Sequence, residues 1–144
     1  MEVVEKVWGR EEIIVNADYC GKRMLLKKGY RCSIHMHKTK DETFFVTKGS
    51  MQVLLIGRDF ELSKADGSLG YTREMAPLYT MGSPVKPESQ VVIMVCGDIL
   101  RIKPGTWHCF TGLEDTEFFE FSTHHEDSDT VRRTVSGKID ELPR

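Results

Sequence analysis

The stretch GYRCSIHMHKTKDETFFVTKG, residues 29–49, carries the clearest structural and chemical pattern in the chain. Successive side chains of a β-strand face opposite sides of the sheet. From Arg31 to His37 the odd-numbered side chains are polar, whereas those between them, Cys32, Ile34 and Met36, are apolar. The pattern predicts a strand with one polar face, as expected in a barrel with a polar interior.

Two imidazoles and a carboxylate fall close together in this stretch. His35 and His37 are two residues apart, so a strand would direct both to the same side, and a turn would return Glu42 on the adjacent strand. Residues 97–112, GDILRIKPGTWHCFTG, offer a third imidazole, His108, after a tight turn. Imidazoles and a carboxylate with open positions are a familiar site for Zn, Mn, Ni or non-haem Fe. The four side chains therefore predict one divalent metal ion.

The rest of the chain consists of short predicted strands separated by glycine-containing turns. Runs rich in Val, Ile, Leu, Phe and Thr occur at residues 3–7, 11–15, 22–27, 31–37, 43–48, 51–56, 91–96, 99–102 and 117–123. No sustained helical period is present, and residues 59–65 are the one candidate for a helical turn. Many short strands with almost no helix predict an all-β sandwich or small barrel.

Length and charge limit the classes of function. At 144 residues the chain is expected to form a single domain, residues 1–144. Its 20 Lys and Arg residues against 22 Asp and Glu residues give a net charge of -2, which disfavours nucleic acid as a partner. No apolar run reaches the roughly 20 residues that span a bilayer, and the acidic start lacks the basic segment of a signal peptide. We therefore expect a soluble, cytoplasmic protein with neither nucleic acid nor membrane as a partner.

Two segments and one surface depart from the simple strand pattern. Residues 57–90 form a long loop rich in Gly, Pro and Ser, which predicts either a mobile lid or an insertion packed on the barrel. Residues 127–144 are polar and predict a short helix or a frayed tail. The apolar face of the strand at 31–37 must be covered by other strands or by a second subunit, and the second alternative predicts a homodimer.

The two histidine-containing stretches resemble the motifs of the cupin superfamily. The first motif, G-x5-H-x-H-x3,4-E-x6-G, is matched at every specified position by residues 29–49. The second, G-x5-P-x-G-x2-H-x3-N, is matched by residues 97–112 except that Lys103 replaces the proline and Gly112 the asparagine. The resemblance implies a double-stranded β-helix, or jelly-roll barrel, with residues 57–90 as the inter-motif loop. It also implies that the metal is held by His35, His37, Glu42 and His108.

Outside these motifs the chain resembles the cupin domain of type II phosphomannose isomerases. This resemblance rests on Trp8-Gly9 near the start, Lys22-Arg23 before the first motif, and the segment 117–132 with its closing Asp129-Thr-Val-Arg132. Val7 replaces a proline that is typical of that family. The resemblance implies a metal-dependent sugar or sugar-phosphate isomerase, similar to mannose-6-phosphate isomerase.

An aldose–ketose isomerase needs a base that moves a proton between C1 and C2 through an enediol. Glu120 is the predicted base, because burial beside the neighbouring phenylalanines would raise its pKa. Arg31 shares the polar face of the strand with His35 and is the predicted phosphate ligand, with Lys22 as a supporting cation and Trp107 at the mouth of the pocket. An Fe(II) cupin dioxygenase and a non-catalytic sugar-binding or regulatory cupin remain the alternatives.

Overall fold

The computed structural model describes residues 1–68 and 89–142. These residues form β-strands and two short 3-10 turns, Asp127–Asp129 and Ile139–Glu141, and they contain no α-helix. No helix in this part of the chain is long and apolar enough to cross a membrane. The strands are β1 (Glu2–Lys6), β2 (Gly9–Asn16), β3 (Tyr19–Leu26), β4 (Tyr30–Arg31), β5 (His35–His37), β6 (Glu42–Lys48), β7 (Ser50–Ile56), β8 (Phe60–Ser63), β9 (Ser89–Val95), β10 (Ile99–Ile102), β11 (Trp107–Gly112), β12 (Thr116–Thr123), β13 (Thr130–Arg132) and β14 (Gly137–Lys138).

The strands form two antiparallel sheets. The first sheet has the order β1-β2-β3-β12-β6-β10-β8. The second has the order β13-β5-β11-β4-β14, with β7 paired to β11 and β9 paired to β7. Neighbouring strands are often distant in sequence, as β12 is from both β3 and β6. This arrangement confirms the predicted all-β jelly-roll barrel.

Alternation along the strands builds an apolar core between the sheets. Phe118 of β12 is fully buried and packs edge-on against Phe44 of β6, with ring centroids 5.1 Å apart. Phe110 of β11 contacts both rings in the same manner. The other fully buried apolar side chains include Met51, Val53, Leu55, Val92, Met94 and Leu100.

The C-terminal segment is part of the second sheet, in contrast to the short helix or frayed tail that its polar sequence predicted. Strand β13 pairs with β5, and β14 pairs with β4. Pairing of this kind satisfies backbone donors and acceptors and requires no apolar side chains, so composition did not reveal these strands. Residues 59–65 also differ from the prediction, because they contain β8, which pairs with β10. The rest of the predicted lid, residues 69–88, lies outside the described residues.

The predicted continuous strand from Arg31 to His37 is divided into β4 and β5. Arg31 pairs with Thr111 of β11, and His35 pairs with His108 of the same strand. Four positions on one side therefore correspond to three on the other, so one extra residue is accommodated between the two pairs, as in a β-bulge. Because an extra residue reverses the alternation, Arg31 faces the opposite side of the sheet from His35.

Candidate metal centre

Three imidazoles converge at the inner face of the second sheet. His35 and His37 extend from the same side of β5, and His108 of β11 is the cross-strand partner of His35. The rings of His35 and His108 have centroids 4.4 Å apart, and one nitrogen atom from each of the three rings lies within 4.8 Å of the others. All three side chains are buried. This is the spacing that a single bound cation requires.

Hydrogen bonds at the far side of the rings orient these histidines. The Nδ1 atom of His35 lies 2.7 Å from the carbonyl oxygen of Ser33, and that of His108 lies 2.9 Å from the carbonyl oxygen of Thr106. A carbonyl oxygen only accepts, so both Nδ1 atoms carry the proton and both Nε2 atoms keep a free lone pair. The Nδ1 atom of His37 lies 3.1 Å from the hydroxyl of Thr130 on β13.

Glu42 completes the donor set from the first sheet. Its Oε1 atom lies 2.7 Å from Nε2 of His108 and 3.6 Å from Nε2 of His37. Neither Glu42 oxygen, nor Nε2 of His108, has a hydrogen-bond partner among the described residues, although all three atoms are fully buried. Buried polar atoms without partners are costly, and a cation between them would satisfy all three. The residues present therefore fit a divalent metal ion.

The ionisation of these groups also favours a cation. Burial, followed by the charge of His108, holds the pKa of His35 well below its ordinary value, and burial lowers the pKa of His37 to about 3. Neutral imidazoles are the form that binds metals. Burial opposes ionisation of Glu42, but Lys40 and His108 outweigh it and hold the pKa of this carboxyl well below its usual range. Three imidazoles and one carboxylate suit Zn, Mn, Ni and Fe alike.

A chain of buried charges begins beside the metal ligands and leads to Glu120. The Nζ atom of Lys40 lies 3.3 Å from Oε2 of Glu42 and 3.3 Å from Oε2 of Glu120. On the other side of Glu120, the Nζ atom of Lys22 lies at 3.9 Å, and it also lies 3.5 Å from Glu11. Each buried lysine is thus shared between two carboxylates.

Glu120 differs from the other carboxylates of this chain of charges. It is 4% exposed, and burial together with the negative charge of Glu42 raises its pKa from 4.5 to about 7, although Lys40 and Lys22 act in the opposite direction. A carboxyl group with a pKa near 7 exchanges protons readily at neutral pH, which is the property of a general base or acid.

A cavity of about 410 Å³ connects the two halves of the site. Glu120 and Lys22 line it, as the sequence predicted, together with His35, His37 and Glu42. Its remaining polar lining residues are Lys6, Glu11, Ser33, Lys40, His125, Asp127, Thr130, Arg132, Thr134 and Ser136.

Arg31 and Trp107, which the sequence predicted to contact the substrate, are not among the residues that line this cavity. The extra residue between β4 and β5 turns Arg31 to the other face of its sheet. Trp107 precedes the buried His108 on β11 and therefore also faces the other way, where the guanidinium of Arg133 stacks 4.0 Å from its ring centroid.

Several residues of the site were not singled out by sequence reasoning. Lys40 stands two positions before a metal ligand, and this proximity was its only sequence signal. Asp129 accepts hydrogen bonds from the backbone N–H groups of Thr39 and Lys40 and from the Thr39 hydroxyl, so it fixes the loop that leads into β6. His125 lies 3.2 Å from Nζ of Lys40 and lines the cavity, whereas the sequence suggested an exposed histidine.

Solved structures support the fold at low sequence identity. The capsular polysaccharide assembling protein CapF from Staphylococcus aureus is 14% identical, with a TM-score of 0.61, and the match covers 91% of this chain and 33% of that chain. The oxalate decarboxylase of Bacillus subtilis, which has Mn(II) centres, is 13% identical, with a TM-score of 0.62 and coverages of 92% and 30%. KdgF from Halomonas sp. is 16% identical, with a TM-score of 0.57 and coverages of 89% and 90%.

This chain thus spans about a third of the length of CapF and of the oxalate decarboxylase, and likeness at these identities shows the cupin fold alone. No curated protein sequence matches the chain significantly. The family model described as D-lyxose isomerase matches residues 8–142, which include all four candidate metal ligands and Glu120. The chain therefore belongs to the D-lyxose isomerase family of the cupin superfamily.

Proposed function

We propose that this protein is a metal-dependent aldose–ketose isomerase that acts on an unphosphorylated aldose of the lyxose type. One observation carries the proposal: a buried carboxyl group with a raised pKa, Glu120, lines the same cavity as three histidines and a glutamate arranged for a metal ion. Membership of the D-lyxose isomerase family supports the same class of reaction.

Each part of the site has a role in this reaction. When bound by His35, His37, Glu42 and His108, a divalent metal supplies a Lewis acid for the carbonyl and neighbouring hydroxyl oxygens of the open-chain sugar. The Glu120 carboxylate removes the proton from C2 and returns it to C1, so the base ends the cycle in its starting state. Lys40, shared between Glu42 and Glu120, keeps the metal ligand ionised and holds the base beside it.

The balance of charge in the cavity favours a neutral sugar. The two buried lysines that line it are already paired with carboxylates, Lys22 with Glu11 and Glu120, and Lys40 with Glu42 and Glu120. A phosphate group would have to displace these pairs or forgo their help, and Arg31, the phosphate ligand suggested by the sequence, faces away from the cavity. We therefore propose D-lyxose and related free aldoses in preference to mannose 6-phosphate.

Turnover of free and phosphorylated sugars tests this proposal. Protein stripped of metal and reloaded with Mn²⁺, Zn²⁺, Ni²⁺ or Fe²⁺ would be incubated with D-lyxose, D-mannose and mannose 6-phosphate, and ketose formation would be followed. The proposal predicts ketose from at least one free aldose, with activity lost on chelation and restored by metal. Metal-loaded protein that converts none of these sugars would refute it, and conversion of the phosphate alone would refute its substrate.

The same preparations separate the alternatives that the sequence left open. An Fe(II) dioxygenase would consume oxygen with the iron-loaded protein and would form no ketose. A sugar-binding or regulatory cupin would be stabilised by the sugar without converting it. Residence in the cytoplasm and assembly into a homodimer stay predictions, and analytical ultracentrifugation of the metal-loaded protein tests the second.

A further inference from the structure

The C-terminal segment forms one wall of the cavity, opposite the wall that carries Glu120. Strand β13 pairs with β5, which carries two of the metal ligands, whereas Glu120 belongs to the other sheet. Two hydroxyls of this wall are already engaged, because Thr130 contacts His37 and Thr134 accepts a hydrogen bond from the backbone of Ile34. These contacts leave Arg132 as the side chain of the wall with the largest unused hydrogen-bonding capacity.

Arg132 lies directly beside a metal ligand. It is the cross-strand partner of His35, so the two side chains extend from the same face of the sheet. Its Nη1 atom donates to the hydroxyl oxygen of Ser33 at 3.0 Å, and no carboxylate pairs with it in the part of the chain that the structure describes. A guanidinium has five N–H donors, so most of those on Arg132 remain available to a molecule in the cavity.

Ser33 connects this arginine to the metal centre. The serine side chain is 1% exposed, and it lines the cavity. Its hydroxyl oxygen accepts from Arg132 and its carbonyl oxygen accepts from Nδ1 of His35. Since the oxygen already accepts a hydrogen bond, the hydroxyl proton is free to be donated to another acceptor. Arg132 and Ser33 therefore present a fixed set of donors next to the expected position of the metal.

We propose that Arg132 and Ser33 bind the hydroxyl groups of the sugar that do not react, and that Arg132 is the residue that determines specificity on this wall. This inference rests on the proposed function, because it assumes that the reacting carbons lie between the metal ligands and Glu120. The planar fork of a guanidinium donates to two neighbouring oxygen atoms at once, which matches adjacent hydroxyls of an aldose. A sugar held in this way spans the cavity from one sheet to the other.

The test compares Arg132→Met with Arg133→Met in the metal-loaded protein. Arg133 is the neighbouring residue, but it stacks on Trp107 at the other face of the sheet, so its replacement is a matched control. We expect Arg132→Met to raise KM for D-lyxose, and the Kd from a thermal-shift titration, by roughly tenfold to hundredfold, since hydrogen bonds to a charged group are lost. Both kcat and metal content should stay within about threefold of wild type. Arg132→Lys, which keeps the charge without the fork, should recover part of the affinity.

Three results would overturn the inference. These are an unchanged KM and Kd in Arg132→Met, an equal effect in Arg133→Met, or a fall in kcat and metal content without a change in affinity. Tighter binding of mannose 6-phosphate than of D-mannose, dependent on Arg132, would assign the arginine to phosphate instead of hydroxyl groups. Wild-type protein that binds D-lyxose without converting it would refute the proposed function, while loss of that binding in Arg132→Met would still support the inference.

Discussion

Replacement of Glu120 by glutamine removes the proposed proton acceptor while its shape is retained. The carboxylate is 4% exposed and lies between Nζ of Lys40 at 3.3 Å and Nζ of Lys22 at 3.9 Å. An amide at this position neither accepts the C2 proton nor carries charge. Because Glu120 is not one of the metal ligands, Glu120→Gln should leave metal binding intact.

The contacts of the two lysines set the size of the effect on stability. Each lysine keeps a second carboxylate, Glu42 for Lys40 and Glu11 for Lys22. We therefore expect the free energy of unfolding to fall by about 1–3 kcal/mol, less than the roughly 3–5 kcal/mol lost when a buried charge has no remaining partner. Loss of a general base should lower kcat by a factor of about 100 to 10,000.

Turnover, urea unfolding and elemental analysis of the metal-loaded variant measure these effects. Glu117→Gln is the control, because Glu117 lies on the same strand at the opposite face, where it accepts hydrogen bonds from Arg23 and Thr47. The control should keep wild-type kcat and metal content. The reasoning is refuted if Glu120→Gln keeps kcat within about threefold of wild type, or if its loss of activity follows loss of metal.

Further experiments address the base, the metal ligands and the segment that supports them. Because burial and the charge of Glu42 raise the pKa of Glu120 to about 7, its carboxylate form is lost as the pH falls, so kcat/KM should decline below about pH 7, and a profile flat to about pH 5 would contradict this. His37→Ala should abolish metal retention in elemental analysis, whereas His124→Ala, at an exposed histidine, should not; equal metal content in both would overturn the ligand assignment. Asp129→Asn weakens the hydrogen bonds that fix the loop before β6, so the free energy of unfolding in urea should fall by about 1–3 kcal/mol, with weaker metal binding; unchanged values would show that the loop holds its shape without this carboxylate.

Sequence alternation predicted most of the barrel but not its local irregularities. The polar and apolar alternation at 31–37 correctly indicated a strand with its histidines facing inward. It also suggested that Arg31 faces the same way, because a pattern with period two does not reveal an extra residue between two strand pairs. The same limit applies to β13 and β14, since their pairing depends on backbone hydrogen bonds that polar side chains do not report.

The metal ligands were predictable because their spacing is encoded within two short stretches. His35, His37, Glu42 and His108 come together as the two motifs implied. The supporting residues were harder to predict because their partners are distant in sequence. Asp129 binds Thr39 across 90 positions, and Arg132 binds Ser33 across 99. Long-range contacts of this kind depend on how the C-terminal segment folds back onto β5, which local sequence patterns do not indicate.

The central claim is that Glu120 and a metal held by the three histidines and Glu42 transfer a proton between C1 and C2 of an aldose. Proton NMR of D-lyxose in D₂O with metal-loaded wild-type protein tests it most directly. The account predicts formation of the ketose with loss of the C2 proton signal or uptake of deuterium at C1, both absent in Glu120→Gln and in chelated protein. Exchange that persists in Glu120→Gln or without metal, or no exchange and no ketose with fully metal-loaded wild type, would contradict the account.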